Sequence, residues 1–179
     1  MSDTIYYKVL NKDLKHHGFQ YKLGLNIDTE KFNPSGTSLL ASMSVNAPAG
    51  IAITNPPSEY LIAISGGNGD NWVYKFPISG GSPVASIGKN GFVAGSGLAE
   101  FSSPIDVAVD SANNIYVTDR DNGRIQKFDI SLGYITQWPA TNPYGIDVDS
   151  GDNVYVVDGN NYRVEKFSST GTSLAQIGS

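Results

Sequence analysis

Two sets of an acid, an amide and a base stand at the same spacing in the second half of the chain, in the order Asp-x-x-Asn-x-Arg. They are Asp119, Asn122 and Arg124, and Asp158, Asn161 and Arg163. A carboxylate beside a guanidinium is able to bind a ligand or a metal ion, or to form a structural ion pair. Because the set recurs unchanged, we favour the structural interpretation, in which the Asp holds a loop and the Arg pairs with a carboxylate.

Other patterns that support catalysis are missing from the sequence. There is no cysteine, and the two histidines, His16 and His17, are adjacent, so in a strand they would point to opposite faces. A serine nucleophile would therefore lack a histidine to activate it. The acidic stretches DSANN (110–114) and SGDN (150–153) lack the spacing and final Glu of an EF-hand loop. We predict no catalytic residue, no metal and no cofactor, although a glycosidase-like pair of carboxylates stays possible.

A second class of side chains is large or charged and differs between the repeats. Variable aromatic and Arg residues on a fixed frame are typical of binding surfaces. The residues that we predict to contact a partner are Trp72, Arg120, Asp121, Trp138, Asn160 and Tyr162.

The frame that positions these residues is an internal repeat. Residues 104–128 and 143–167 align without a gap at an offset of 39, with 12 identities in 25 positions. A degenerate third copy comprises 48–53, 60–65 and 72–76, and residues 29–44 resemble the second half of a repeat at 164–179. Alternation with period two predicts strands at 105–109, 114–118, 124–128 and about 134–138, and again at 144–148, 153–157, 163–167 and 173–177. Four short antiparallel strands per repeat predict an all-β fold of β-propeller blades.

The pattern P-x-x-[VI]-x-V-D-x-x-x-N-[IV]-Y-V-x-D-x-x-N-x-R-[IV]-x-K-F resembles the NHL repeat, as does the Gly-rich stretch 87–104. The resemblance covers residues 46–179. It implies blades of a propeller, and related six-bladed proteins include protein- or RNA-binding scaffolds, lyases and lactonase-like hydrolases. Residues 5–36, above all HHGFQYKLGLNID, are similar to an N-terminal segment of giant DNA virus repeat proteins. That likeness implies a viral protein of the host cytoplasm or virion.

The blade count follows less directly from the sequence. We divide the chain into an N-terminal segment, 1–28, which could belong to a divergent first blade, and a propeller or propeller arc, 29–179. Four blades, an arc that closes against another copy, and a piece of a longer protein are all compatible with three full repeats and a half. We favour an arc or fragment that associates, because an open arc exposes blade faces and strand edges.

The charge pattern narrows the class of partner. The net charge of −5 resides in residues 104–179, so a nucleic-acid backbone is disfavoured. No apolar run is long enough for a membrane helix, and no signal peptide is visible, so we expect a soluble protein. We predict a non-catalytic binding or structural scaffold whose partner is a protein or another copy of the chain. The alternative is a small-molecule or sugar-binding propeller enzyme with a site in the central channel.

Overall fold

The computed structural model describes residues 45, 48–57, 59–66, 70–88 and 95–178, which form three antiparallel four-stranded sheets. Blade I contains β1 (Pro48–Ile53), β2 (Tyr60–Ser65), β3 (Trp72–Pro77) and β4 (Ala85–Gly88). Blade II contains β5 (Pro104–Val109), β6 (Ile115–Asp119), β7 (Arg124–Phe128) and β8 (Tyr134–Pro139). Blade III contains β9 (Pro143–Val148), β10 (Val154–Asp158), β11 (Arg163–Phe167) and β12 (Ser173–Ile177).

The predicted all-β blades are confirmed, and each of the eight predicted strands lies within one residue of its observed bounds. One stretch differs: Ile87 and Gly88, taken as the start of the Gly-rich approach, belong to β4, which pairs with β3. The N-terminal segment 1–28, the half copy at 29–44 and both histidines lie outside the described residues.

The first strand of each blade is the innermost one, since β5 contacts both β1 and β9. Each carries an irregularity in its pairing at the third residue, which is Gly50, Asp106 or Gly145. A Cβ at Gly50 would come within 2.7 Å of the Asp106 Cα, so the close approach of β1 and β5 requires a glycine. Asp106 in turn accepts a hydrogen bond from the Ile146 backbone N–H at 3.2 Å, which joins β5 to β9.

Apolar side chains fill the two spaces between the blades. Between blades I and II the buried residues include Ile62, Ile64, Val117 and Phe128. Between blades II and III they include Tyr116, Ile125, Trp138, Val156 and Phe167. The two middle strands of blade II, β6 and β7, therefore bury both of their faces.

The far face of blade I is also buried. Leu61, Ala63 and Phe76 are at most 9% exposed and form a third cluster with Val45. On the opposite end of the arc, all five residues of β12 are exposed. Within the described part of the chain, no helix is long and apolar enough to cross a membrane.

Candidate functional site

Asp119 is the centre of the polar network in blade II. It is fully buried at the end of β6, and its Oδ2 accepts a hydrogen bond from the Arg124 Nε at 2.6 Å. Asn122 and Gln126 donate to the same carboxylate, and the Ser102 backbone N–H donates to Oδ1 at 2.8 Å. These contacts fix both the loop between β6 and β7 and the chain that enters β5.

Arg124 uses all five of its N–H groups. Besides the bond to Asp119, its Nη1 and Nη2 donate to the carbonyl oxygens of Ser96, Gly97 and Glu100 and to Gln137. The three carbonyls belong to the Gly-rich loop between blades I and II. A guanidinium with five donors in a fixed fork suits this arrangement, which a lysine ammonium could not reproduce. Arg124 and Asp119 therefore keep no capacity for a ligand.

Blade III repeats the contact between the Asp and the Asn side chains, but it has no counterpart of the Gly-rich loop that surrounds Arg124. Asp158 accepts a hydrogen bond from Asn161 at 2.7 Å and is 1% exposed. The Arg163 Nε lies 3.2 Å from the Asp158 carboxylate but has no hydrogen bond that satisfies it. Its Nη2 instead donates to Glu165 at 2.7 Å, and its side chain is 24% exposed. Only a short connection leads from β8 to β9, and no loop carbonyl of the described residues bonds to this guanidinium.

In blade I a different pair of residues takes the place of the Asp–Arg network. Ser65 stands where Asp119 stands in blade II, and its hydroxyl donates to Asp70 at 2.7 Å. Asp70 is 4% exposed, and it stands outside the aligned position because six residues separate Ser65 from Trp72 where four separate Asp119 from Arg124. The neighbouring Asn71 accepts the Ser103 backbone N–H at 2.8 Å. Sequence alignment missed both residues, because neither stands at the repeated position.

Asp110 and Asp149 stabilise the turns between the first and second strands of blades II and III. Asp110 accepts the backbone N–H groups of Ala112 and Asn114 and the hydroxyl of Tyr116. Burial raises the pKa of Asp110, but hydrogen bonds from Asn114 and Tyr116 and the charge of Lys127 outweigh this effect, so the pKa lies below its ordinary value. Asp149 makes the equivalent contacts in blade III, where hydrogen bonds from Asn153 lower its pKa. Among the described residues, no group of three His, Cys, Asp or Glu side chains is placed to hold a metal ion.

The loops at the other ends of the strands form a surface whose side chains are partly or largely exposed. We call it the loop surface and define it by Ser103, Arg120, Asp121, Asn142, Tyr144, Asn160 and Tyr162. Arg120 donates to Asp121 at 2.7 Å, and its guanidinium lies 5.8 Å from the centre of the Tyr144 ring in the next blade. The hydrogen bond from Arg120 lowers the pKa of Asp121, which also accepts the Ser103 hydroxyl.

The blade III part of the loop surface is more open. Asn142 donates to Asn160 at 2.9 Å. Tyr162 is 89% exposed and has a positive φ of 53°, a conformation that the equivalent Gly123 adopts without strain. The loop surface thus brings together four of the six predicted contact residues: Arg120, Asp121, Asn160 and Tyr162.

A family model described as the NHL repeat matches residues 101–128 and 141–167, which span most of blades II and III. The chain contains NHL repeats of a β-propeller. Solved structures with a similar fold include virginiamycin B lyase from Staphylococcus aureus, with 18% identity and a TM-score of 0.56 over 74% of this chain and 41% of that one. They also include U3-55K, with 13% identity and a TM-score of 0.62 over 75% of this chain and 40% of that one.

A third comparison concerns a short segment. A putative ankyrin repeat protein of Acanthamoeba polyphaga mimivirus is 54% identical over 33 residues, which are 18% of this chain and 16% of the viral protein. The chain spans about two fifths of the solved structures it resembles. Identities below 20% establish the propeller fold and leave the activity open.

The two tryptophans among the predicted contact residues lie in strands and not in the loops that define the loop surface. Trp138 is part of β8 and 6% exposed, packed against Tyr116 and Phe167 between blades II and III. The absence of a side chain on Gly171 makes room for its indole, since a Cβ there would lie 2.5 Å from the ring. Trp138 is thus a packing residue, and we remove it from the contact set. Trp72 lies in β3 and stacks on Tyr74 with ring centres 6.1 Å apart.

Proposed function

We propose that this chain is a non-catalytic protein-interaction scaffold whose loop surface contacts a protein partner. One observation carries the proposal: the repeated polar residues of blade II are saturated by contacts inside the blades, whereas the variable residues beside them are partly or largely exposed. Asp119 and Arg124 use their hydrogen-bonding capacity on the blade II loops. Arg120 and Tyr162 remain available for a partner.

The chemistry of the loop surface suits a protein partner. Tyr144 and Tyr162 are 42% and 89% exposed, and Tyr and Arg are the residue types that most often dominate binding energy at protein interfaces. Arg120 is already oriented by Asp121 and by the Tyr144 ring, so its side chain loses less conformational freedom on binding. The partner is either another copy of the chain or a different protein, and association through completion of the ring is a second route.

The test is affinity capture with the purified chain, quantified by mass spectrometry. Arg120→Glu and Tyr162→Ala should each reduce the amount of retained partner by about tenfold or more, the size expected for a central contact residue. Ile135→Ala is the matched control, because Ile135 is also exposed, at 46%, but lies in β8 away from the loop surface. Circular dichroism must report an unchanged fold for all three variants. Retention that is equal in all of them would contradict the proposal.

A further inference from the structure

Arg124 and Arg163 stand at the same position of blades II and III but differ in the number of hydrogen bonds that they make. Arg124 places all five of its N–H groups, three of them on carbonyl oxygens of the Gly-rich loop, residues 95–100. Arg163 donates from Nη2 to Glu165 at 2.7 Å and from Nη1 to Gln176 at 3.3 Å. Its Nε–H and one N–H on each Nη have no acceptor in the part of the chain that the structure describes.

The Arg163 side chain lies on the face of blade III that is turned towards blade II. Arg163, Glu165 and Phe167 alternate along β11, so their side chains share one face of the strand. The Phe167 ring packs against Trp138 of blade II, with ring centres 6.0 Å apart. The free donors of Arg163 are therefore located between two described blades and not at an end of the arc.

The surroundings of Arg163 are partly open to solvent. The Arg163 and Glu165 side chains are 24% and 14% exposed. In blade II the matching Arg124 side chain is 11% exposed, and the matching Gln126 is fully buried. The Gly-rich loop contacts both of those residues, whereas the connection between blades II and III consists only of residues 140–142.

The charges beside Arg163 favour a neutral hydrogen-bond acceptor. Asp158 lies 3.2 Å from its Nε, and Glu165 lies 2.7 Å from its Nη2, so two carboxylates already face one guanidinium. An added phosphate or carboxylate would meet this excess of negative charge and be repelled. A carbonyl oxygen accepts the same N–H groups without carrying a net charge.

Blade II shows how a backbone segment binds at this position. The Ala99 N–H donates to Gln126 Oε1 at 3.1 Å, and the Gln126 amide donates to the Glu100 carbonyl oxygen at 2.8 Å. In blade III Glu165 replaces Gln126, and its Oε2 has no partner among the described residues. Glu165 is thus able to accept an N–H while Arg163 donates to carbonyl oxygens, a combination that is complementary to a peptide backbone.

We infer that the space beside Arg163, between blades II and III, binds a glycine-rich peptide segment of a partner protein. The segment presents carbonyl oxygens to the guanidinium and an N–H to Glu165, as residues 95–100 do on blade II. Glycine is expected because the turn on blade II is compact: a Cβ on Gly95 would lie 2.6 Å from the Glu100 Cβ. This site goes beyond the proposed function, since it is separate from the loop surface.

The test is isothermal titration calorimetry of the full chain with a capped synthetic peptide of residues 95–101, GSGLAEF. Saturable binding is expected, with a dissociation constant of about 1 mM or tighter. Arg163→Lys keeps the positive charge beside Asp158 and Glu165 but lacks the planar fork of donors, so it should weaken binding by about tenfold. Circular dichroism must report an unchanged fold. Absence of saturable binding, or equal affinity of the two chains, would overturn the proposal.

A second variant tests the comparison with blade II. Glu165→Gln removes the excess negative charge and adds the amide donor that Gln126 uses, so it should tighten binding of the peptide by about two- to fivefold. Asp147→Asn, the matched control, makes the same chemical change at an exposed carboxylate of β9 and should have no effect. Weaker binding by Glu165→Gln would contradict the proposal. Displacement of the peptide by inorganic phosphate would overturn it in favour of an anion site.

The occupant is tested by photo-crosslinking from position 176. Gln176 is exposed and contacts Arg163, so p-benzoylphenylalanine at this position should crosslink to the added peptide, as read by mass spectrometry. A crosslink to residues 1–44 of the same chain, or to a second copy, would overturn the assignment to a partner protein. Because the peptide titration does not involve Arg120 or Tyr162, its failure leaves the capture results for those residues unaffected, and the converse also holds.

Discussion

Asp119→Ala should destabilise the protein far more than the equivalent change in blade III. Asp119 is fully buried and accepts hydrogen bonds from Ser102, Asn122, Arg124 and Gln126. Its removal leaves the Arg124 guanidinium, whose side chain is 11% exposed, without a counter-ion. Breaking a buried ion pair in this way costs about 3–5 kcal/mol.

Asp158→Ala is the matched comparison. Asp158 is as buried as Asp119, but Arg163 keeps Glu165 at 2.7 Å and is more exposed to solvent, at 24%. The charge left behind is therefore still paired and partly hydrated, and we expect a loss of about 1–2 kcal/mol. Asp121→Ala removes an exposed ion pair with Arg120 and should cost less than about 1 kcal/mol.

Urea unfolding followed by circular dichroism measures all three variants on one scale. The expected order of loss is Asp119→Ala, then Asp158→Ala, then Asp121→Ala, with the first about 1–4 kcal/mol beyond the second. Equal losses for the two buried acids would refute the reasoning, because they would show that the Gly-rich loop around Arg124 adds nothing. A loss below about 1 kcal/mol for Asp119→Ala would refute it as well.

Two further predictions concern pH and packing. The pKa values of Asp110, Asp121 and Asp149 are lower in the folded protein than their ordinary value, so these groups stabilise the fold above about pH 4 and cease to do so as the pH falls through their folded values. Melting temperature measured against pH should therefore drop at acid pH, and a flat profile would contradict this. Gly66→Ala would place a Cβ against the Pro104 carbonyl oxygen, which is backbone, and should cost about 1–3 kcal/mol. Gly145→Ala, with only ordinary contacts, should cost less in the same urea titration.

The blades were predictable because the same alternation occurs twice at a fixed period. Repetition also separated structural from variable residues, so that Asp119 and Arg124 could be assigned to the frame and Arg120 to a surface. The same comparison of repeats gave the wrong role for Trp138, which was predicted to be a contact residue and is a packing residue. At the end of a strand, beside a Pro and before a loop, an unrepeated aromatic residue is indistinguishable from a loop residue in sequence, and only the packing of blade III shows that it is covered.

Alignment of the repeats also could not show that Arg124 and Arg163 have different hydrogen-bond partners. The cause is the length of the connections between the blades. Blade I and blade II begin 56 residues apart, whereas blade II and blade III begin 39 apart. Part of the extra length folds back as the loop whose Ser96, Gly97 and Glu100 carbonyls surround Arg124. Identical residues thus have different partners because the connections between blades differ in length.

The two ends of the arc are chemically unequal. The far face of blade I is closed, since Phe76 is 1% exposed, while the far face of blade III leaves Ile177 54% exposed. Lys75, whose side chain lies on the opposite face of blade I from that of Phe76, donates to the Ile130 carbonyl oxygen of blade II, whereas Lys166 has only side chains of its own blade among the described residues.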